Sequence, residues 1–397
     1  MVRAEVTKGK ANPWGGIPNP WDFQGYLDYA ATAPVRPEVL DCLLRVLTQE
    51  WGNPSSVHGW GERAAVAMET ARWQVAECLG VTPEWVVFTS GGTESNHLAI
   101  HGICQGYGDP QHLIVSAGEH AAVQQVALHW QALGWQVTFL PLDPEGFVRV
   151  ADLEAALQPN TVLVSVIHGH NEVGSLQPIG ALAQVCQARG IPFHTDAVQS
   201  VGKVPLNLPD LGVDLLSLSG HKLGAPQGIG ALLVRPGIGM QPWLRGGGQE
   251  QGLRSGTQAV GLIAALGEAC GLAHAEMASS HHRLWQEDLA AALAVFPQLH
   301  LTGSRDFSRR LPQHLSYVVE GWSSSELVRQ LAQAGIGISG GSACLRGKPQ
   351  PNRILQAMGY NAEQALSGIR ISWGWGTTWE DLAQLPQALR TILGAAR

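Results

Sequence analysis

From residue 62 to about 235, short apolar runs alternate with amphipathic helical stretches, and this alternation leaves few architectures open. The runs predict strands at 85–89, 113–116, 137–140, 161–167, 192–195, 214–218 and 230–234. Stretches such as 62–79, 121–133 and 179–189 predict helices between them. Strands that are apolar on both faces and separated by helices belong in a mainly parallel, seven-stranded sheet covered on both sides, an α/β fold. Ligands of such sheets bind beyond the carboxyl ends of the strands. The residues that follow each run are therefore the first candidates for function.

Two of these runs end in a particular pair of groups. One is followed by Ser219-Gly220-His221-Lys222, the other closes in His194-Thr195-Asp196-Ala197-Val198-Gln199. A lysine amine can hold an aldehyde cofactor covalently, and a carboxylate can keep a pyridine nitrogen protonated, so the pair reads as a pyridoxal phosphate site. The plainer alternative makes Asp196 a helix cap and Lys222 a solvated loop lysine. A lysine directly after a buried strand, with Ser219 and His221 beside it, favours the functional reading.

Other strand ends add to it. Thr89-Ser90-Gly91-Gly92-Thr93-Glu94-Ser95 follows a run and opens a helix, where free amides and the Thr93 hydroxyl suit a phosphate. An ordinary turn capped by Thr93 remains an equal alternative. His120 lies just past the second run, where an imidazole can stack on a flat ring or move protons, although a lone loop histidine is more often structural. Asn171 and Gln199 offer amides for a ring hydroxyl. His168 and His170 have no third partner at metal-ligand spacing, so no metal site is expected.

Further along, Ser339-Gly340-Gly341-Ser342-Ala343-Cys344-Leu345-Arg346-Gly347-Lys348 places a cysteine among glycines and cations, a setting that favours thiolate. Arg370 interrupts the apolar pattern Gly368-Ile369-Arg370-Ile371-Ser372. It calls for a carboxylate, from substrate or from an internal salt bridge.

The chain of 397 residues, 45% hydrophobic and 14% charged, is long enough for two domains. We expect an N-terminal arm at 1–25, a large domain at 26–275 whose first residues may join the small one, and a small α+β domain at 276–397. A single long helical pattern over 258–296 links them. In the small domain, 315–319, 336–339 and 369–372 predict strands, and 325–334 and 381–393 helices. With 25 basic against 32 acidic residues the net charge is −7, which argues against nucleic acid as a partner. No apolar run approaches the ~20 residues of a membrane-spanning helix. The six scattered cysteines form no C-x-x-C pair, so neither a disulfide framework nor a thiolate metal site is expected, and a reducing cytoplasm is. The 14 tryptophans read as packing or interface residues.

Taken together and in order, these segments resemble cysteine desulfurases of the NifS/IscS type, fold type I pyridoxal phosphate enzymes of aminotransferase class V. The resemblance runs from Tyr26-Leu27-Asp28-Tyr29-Ala30-Ala31-Thr32-Ala33-Pro34 through Thr378. It includes Gly52-Asn53-Pro54-Ser55-Ser56, Asn171-Glu172, the stretch from Gly246 to Thr257, and Ser342-Ala343-Cys344. It implies that Lys222 holds the cofactor and abstracts the α-proton of L-cysteine. Asp196 would pair with the ring nitrogen, His120 stack on the ring, and Asn171 and Gln199 bond its hydroxyl. Gly92, Thr93, Ser219 and His221 would hold the phosphate, joined by Thr257 of a neighbouring subunit, which implies a homodimer. Arg370, with Asn171, would clamp the substrate carboxylate. Cys344 would take the sulfur as a persulfide, leaving alanine, and pass it to an acceptor protein for iron–sulfur cluster assembly or another use.

Three departures accompany the resemblance. Asn96-His97 stands where the family usually has Asp-Asn, and Gly374-Trp375 where it has Gly-Arg. The chain ends at Arg397, short of the tail with which some members contact the iron–sulfur scaffold. Alternatives on the same scaffold are a cysteine or cystine C–S lyase and a selenocysteine lyase. A non-catalytic scaffold or regulatory partner is the alternative of another class.

Overall fold

Branched apolar residues dominate the predicted runs, and in the computed structural model they form one sheet. Residues 23–277, 281–341 and 350–394 are described. The strands are β1 Val86–Thr89, β2 His112–Ser116, β3 Gln136–Leu140, β4 Thr161–Ser165, β5 Phe193–Asp196, β6 Leu215–Ser219 and β7 Gly230–Val234. Their order is β1-β7-β6-β5-β4-β2-β3. β3, β2, β4, β5 and β6 pair in parallel in that order, whereas β7 runs antiparallel to both β6 and β1. Every residue of β1, β2, β4, β5, β6 and β7 is buried, as a sheet covered on both faces requires. β4 leaves the ladder sooner than its apolar run suggests. Val166 and His168 still donate to the carbonyls of His194 and Asp196, at 3.0 and 2.9 Å.

The single helix expected over 258–296 is two helices, Val260–Met277 and His282–Leu293. The first packs on the helices Pro37–Gln49 and Gly59–Cys78 beside the large sheet. The second sends Leu289 and Leu293 into a different core. Each buries an apolar face, so the apolar pattern continues across the point where the chain changes cores. Val260–Met277 is apolar and long enough to cross a membrane by composition alone, but most of it is buried.

The second core is built on β8 Leu299–Leu301, β9 His314–Val319, β10 Ser339–Gly340 and β11 Gly368–Ser372, antiparallel in the order β10-β11-β9-β8. Of the strand expected at 336–339, only its end joins this sheet; Gly337 instead bridges Tyr26, and Asp28 bridges Ser372. Leu27 thereby joins the second core, while the residues after it cross to the large sheet. This crossing carries Ala30 and Ala31 to the ends of β5 and β6.

Candidate active site

β6 ends at Ser219 and the chain turns at once through Gly220–Lys222. Only glycine fits at 220, where a Cβ would lie 2.9 Å from Ile229 Cγ2 and 3.0 Å from Ala225 Cβ. The tight turn points the Lys222 amine back at the crossing segment, where it donates to the carbonyls of Ala30 and Ala31, each at 2.6 Å. Burial, reinforced by the Arg370 charge, pushes this amine down to about 8. It thus holds its proton less tightly than a free lysine, a property that would suit a nucleophile or base.

On the neighbouring strand, Asp196 is the last residue of β5 and almost fully buried. Its Oδ1 accepts from the Val198 N–H at 3.0 Å and its Oδ2 from the Asn96 amide at 2.7 Å. Burial raises its carboxyl, and His120, Asn96 and Lys222 oppose the rise. A cationic N–H partner would relieve that burial cost.

The turn after β1 opens the helix Gly92–Cys104. A Cβ on Gly92 would stand 2.7 Å from Val198 Cγ2, so the glycine permits the close approach of helix start and β5 turn. Glu94 braces this turn, accepting from the Ser90 N–H at 2.7 Å and pairing with Arg254 at 2.9 Å. His120 caps the helix Ala121–Ala132, its Nδ1 accepting from the Ala122 N–H at 3.1 Å. In the neutral ring the proton is then on Nε2. His221 Nδ1 lies 3.1 Å from the Thr32 hydroxyl, and burial beside Lys222 pushes the ring down to about 4.

Arg370, in β11, reaches across from the small sheet. It pairs with Asp28 at 2.9 Å and Glu172 at 3.4 Å, and donates to the Asn171 carbonyl at 3.1 Å. The internal salt bridge weighed from sequence is therefore present. Its Nε has no partner among the described residues. The Asn171 side chain donates to Glu172 at 2.8 Å.

Lys222, Asp196, His120, Asn171, Gln199, Gly92, Thr93, Ser219, His221 and Arg370 line one cavity of about 340 Å³. Thr257 does not line it, and Cys344 lies outside the described residues. A second cavity of about 500 Å³ also touches Lys222 and is lined by Lys203, Arg36 and several tryptophans, but not by Asp196, His120 or Arg370. Trp375 belongs to this second space, donating to the Pro34 carbonyl at 3.0 Å beneath the Arg36 guanidinium, and not to the rim of the smaller cavity.

Sequence reasoning gave no site role to Asn96, Asp28 or Glu172. Asn96 follows Gly92 by four residues, one helical turn, and that spacing was the available signal. Asp28 and Glu172 occur in motifs, but their pairing with Arg370 spans the two sheets. No sequence spacing reports it.

The smaller cavity has free helix amides and hydroxyls at one end, a buried carboxylate at the β5 end, an amine between them and a guanidinium opposite. This donor set fits a group with a phosphate, a protonated ring nitrogen and an aldehyde, which pyridoxal phosphate combines. Fold and cavity define a fold type I pyridoxal phosphate enzyme. The aminotransferase class V family matches residues 25–385, and the chain belongs to that family. It is 39% identical to a cysteine desulfurase IscS from Dictyoglomus turgidum, over 94% of this chain and 95% of that one. A solved NifS-like protein superposes with a TM-score of 0.87 at 32% identity, over 94% of this chain and 99% of that one. A structure described as SspA in complex with cysteine superposes with a TM-score of 0.77 at 35% identity, over 88% and 98%.

Proposed function

We infer that this chain is a pyridoxal phosphate-dependent cysteine desulfurase, which takes the sulfur of L-cysteine and leaves L-alanine. The observation that carries the reading is the convergence of Lys222, Asp196, His120 and Arg370 on one cavity, in a chain similar over nearly its whole length to cysteine desulfurases. The bound cofactor would supply an aldehyde for the substrate amine and a ring that withdraws electrons from the α-carbon.

The residues that would hold it are Lys222 at the aldehyde, Asp196 at the ring nitrogen, and Gly92, Thr93, Ser219 and His221 at the phosphate. His120 would stack on the ring, and Asn171 and Gln199 would bond its hydroxyl. Lys222, once its amine is free, would take the α-proton of the substrate. Arg370 receives the substrate carboxylate by exchanging its bonds to Asp28 and Glu172. Cys344, as thiolate, would attack the substrate sulfur; an S–S bond would form as the C–S bond breaks, the electron pair left on the β-carbon would take a proton, and return of the α-proton from Lys222 would complete alanine. The sulfur then sits on Cys344 as a persulfide for an acceptor protein, with iron–sulfur cluster assembly one destination.

Other observations support parts of this reading. Burial pushes the Cys42, Cys104 and Cys186 thiols up, which disfavours them as nucleophiles. The five described cysteines are free thiols, which suits a reducing compartment such as the cytoplasm. The two cores suit a large domain and a small domain, with Leu27 in the core of the small one. Thr257 belongs to a loop outside its own cavity, which suits service to a neighbouring subunit's phosphate site.

Product analysis tests the function. Purified protein given cysteine and a reductant should release alanine and sulfide in equal amounts, and Cys344→Ala should lose nearly all of that release. Pyruvate and ammonia in place of alanine would mark a lyase, and a Cys344→Ala variant as fast as wild type would refute the persulfide role.

A further inference from the structure

Gln199 is almost fully buried between the two cavities, with different groups on the two sides of its amide. Its Nε2 donates at 2.8 Å to the Ala30 carbonyl, which also receives the Lys222 amine at 2.6 Å. Its Oε1 accepts from the Lys203 amine at 3.2 Å. Flipping this amide would set two oxygens against each other at Ala30 and turn an N–H toward the Lys203 amine. The donor on one side and the acceptor on the other therefore select one orientation.

The backbone is shaped to place that amine. Gly202 has φ +68, and a Cβ there would stand 2.6 Å from Ala273 Cβ, so the turn that carries Lys203 back over Gln199 needs a glycine. Lys203 makes no ion pair with a carboxylate among the described residues; its charged surroundings are Lys222 and Arg370, with His221, His282 and His314 also in its field. Glu276, which lines the larger cavity with it, is bound to Arg36 at 2.6 Å. Burial and the like charges push Lys203 down to about 7. Keeping an amine in so unfavourable a place calls for a use beyond packing.

We propose that Lys203 is a positioning residue of the cofactor site: it holds the Gln199 oxygen away from the smaller cavity, so that the Gln199 N–H left over from Ala30 faces the cofactor's ring hydroxyl. The inference rests on the pyridoxal phosphate reading and adds a residue to it. A lysine that acts on the hydroxyl only through Gln199 changes the cofactor's electronics without touching it.

The test uses the holoenzyme. Lys203→Met removes the donor at similar length, and Lys203→Arg keeps one, with room for it in the larger cavity. The readouts are the cofactor's dissociation constant and the pH midpoint of its visible absorption. Losing one hydrogen bond of this kind should weaken cofactor binding about three- to tenfold in Lys203→Met and move the midpoint, with Lys203→Arg close to wild type. In a Gln199→Leu background, Lys203→Met should add nothing further. Wild-type affinity and midpoint in a folded Lys203→Met would overturn the proposal, and so would the full shift persisting without Gln199. If Lys203→Met does not fold, a Lys203→Arg whose midpoint equals that of Gln199→Leu would overturn it. If the variants show these shifts but the wild-type protein makes no alanine from cysteine, the desulfurase reading alone is refuted.

Discussion

At Lys222 the two states of one amine differ enough to be read in stability. Its pKa lies near 10.5 when unfolded and about 8 when folded, chiefly through burial. Between those values the unfolded chain keeps a proton that the folded chain has released, so stability rises with pH across that window. Below about pH 8 both states hold the proton and the cost of the buried charge is felt in full. In cofactor-free protein, Lys222→Met should therefore raise Tm most below pH 8, and the gain should shrink toward zero as pH approaches 10.5. Thermal melts of the two proteins from pH 7 to 10 check this; a gain independent of pH would assign it to packing. The lysine itself was legible from Ser219-Gly220-His221-Lys222 after a buried run. Its hydrogen bonds to Ala30 and Ala31 were not, because those residues lie some 190 positions away and arrive by the crossing segment.

Among the elements, β1 and β7 show how the Gly91-Gly92 turn is held. Gly230 begins β7, and a Cβ there would stand 2.6 Å from the Leu218 carbonyl and 2.7 Å from Gly91 Cα. Both neighbours are backbone and cannot rotate aside. Gly230→Ala should destabilise the protein by about 1–3 kcal/mol, as overpacking does in a close-packed interior, and should weaken cofactor binding by shifting the Gly91-Gly92 turn. Denaturant titration and cofactor absorption measure the two effects; an unchanged midpoint would mean that the sheet opens to admit the methyl. The strands themselves were legible because each is short, apolar and bounded by turn residues. The break between Val260–Met277 and His282–Leu293 was not, since each helix buries an apolar face and the pattern does not record against which core.

Across the whole molecule, several large apolar side chains are left exposed on two helices. Leu47, Trp51 and Trp73, on or beside the helices Pro37–Gln49 and Gly59–Cys78, are 56%, 64% and 63% exposed. Large apolar side chains left exposed can serve a partner, and a second copy is the occupant that the proposed homodimer supplies. Trp73→Glu with Leu47→Arg should shift the protein from dimer to monomer in sedimentation and reduce desulfurase activity, because the proposed contact of Thr257 with a neighbour's site would be lost. A double variant that stays dimeric would place the interface elsewhere. The sequence by itself determined the α/β sheet and where its strands end, because periodicity and turn residues are local properties of a chain; Lys222 and Asp196 stood out as candidates by following those runs, and His120 and Arg370 gained their proposed roles from the resemblance. Only the tertiary structure decided that Asn96 holds Asp196, that Asp28 and Glu172 hold Arg370, and that Lys203 stands behind Gln199. Those contacts join different strands, helices and sheets, and the free energy that selects them comes from burial and charge pairing between segments far apart in sequence.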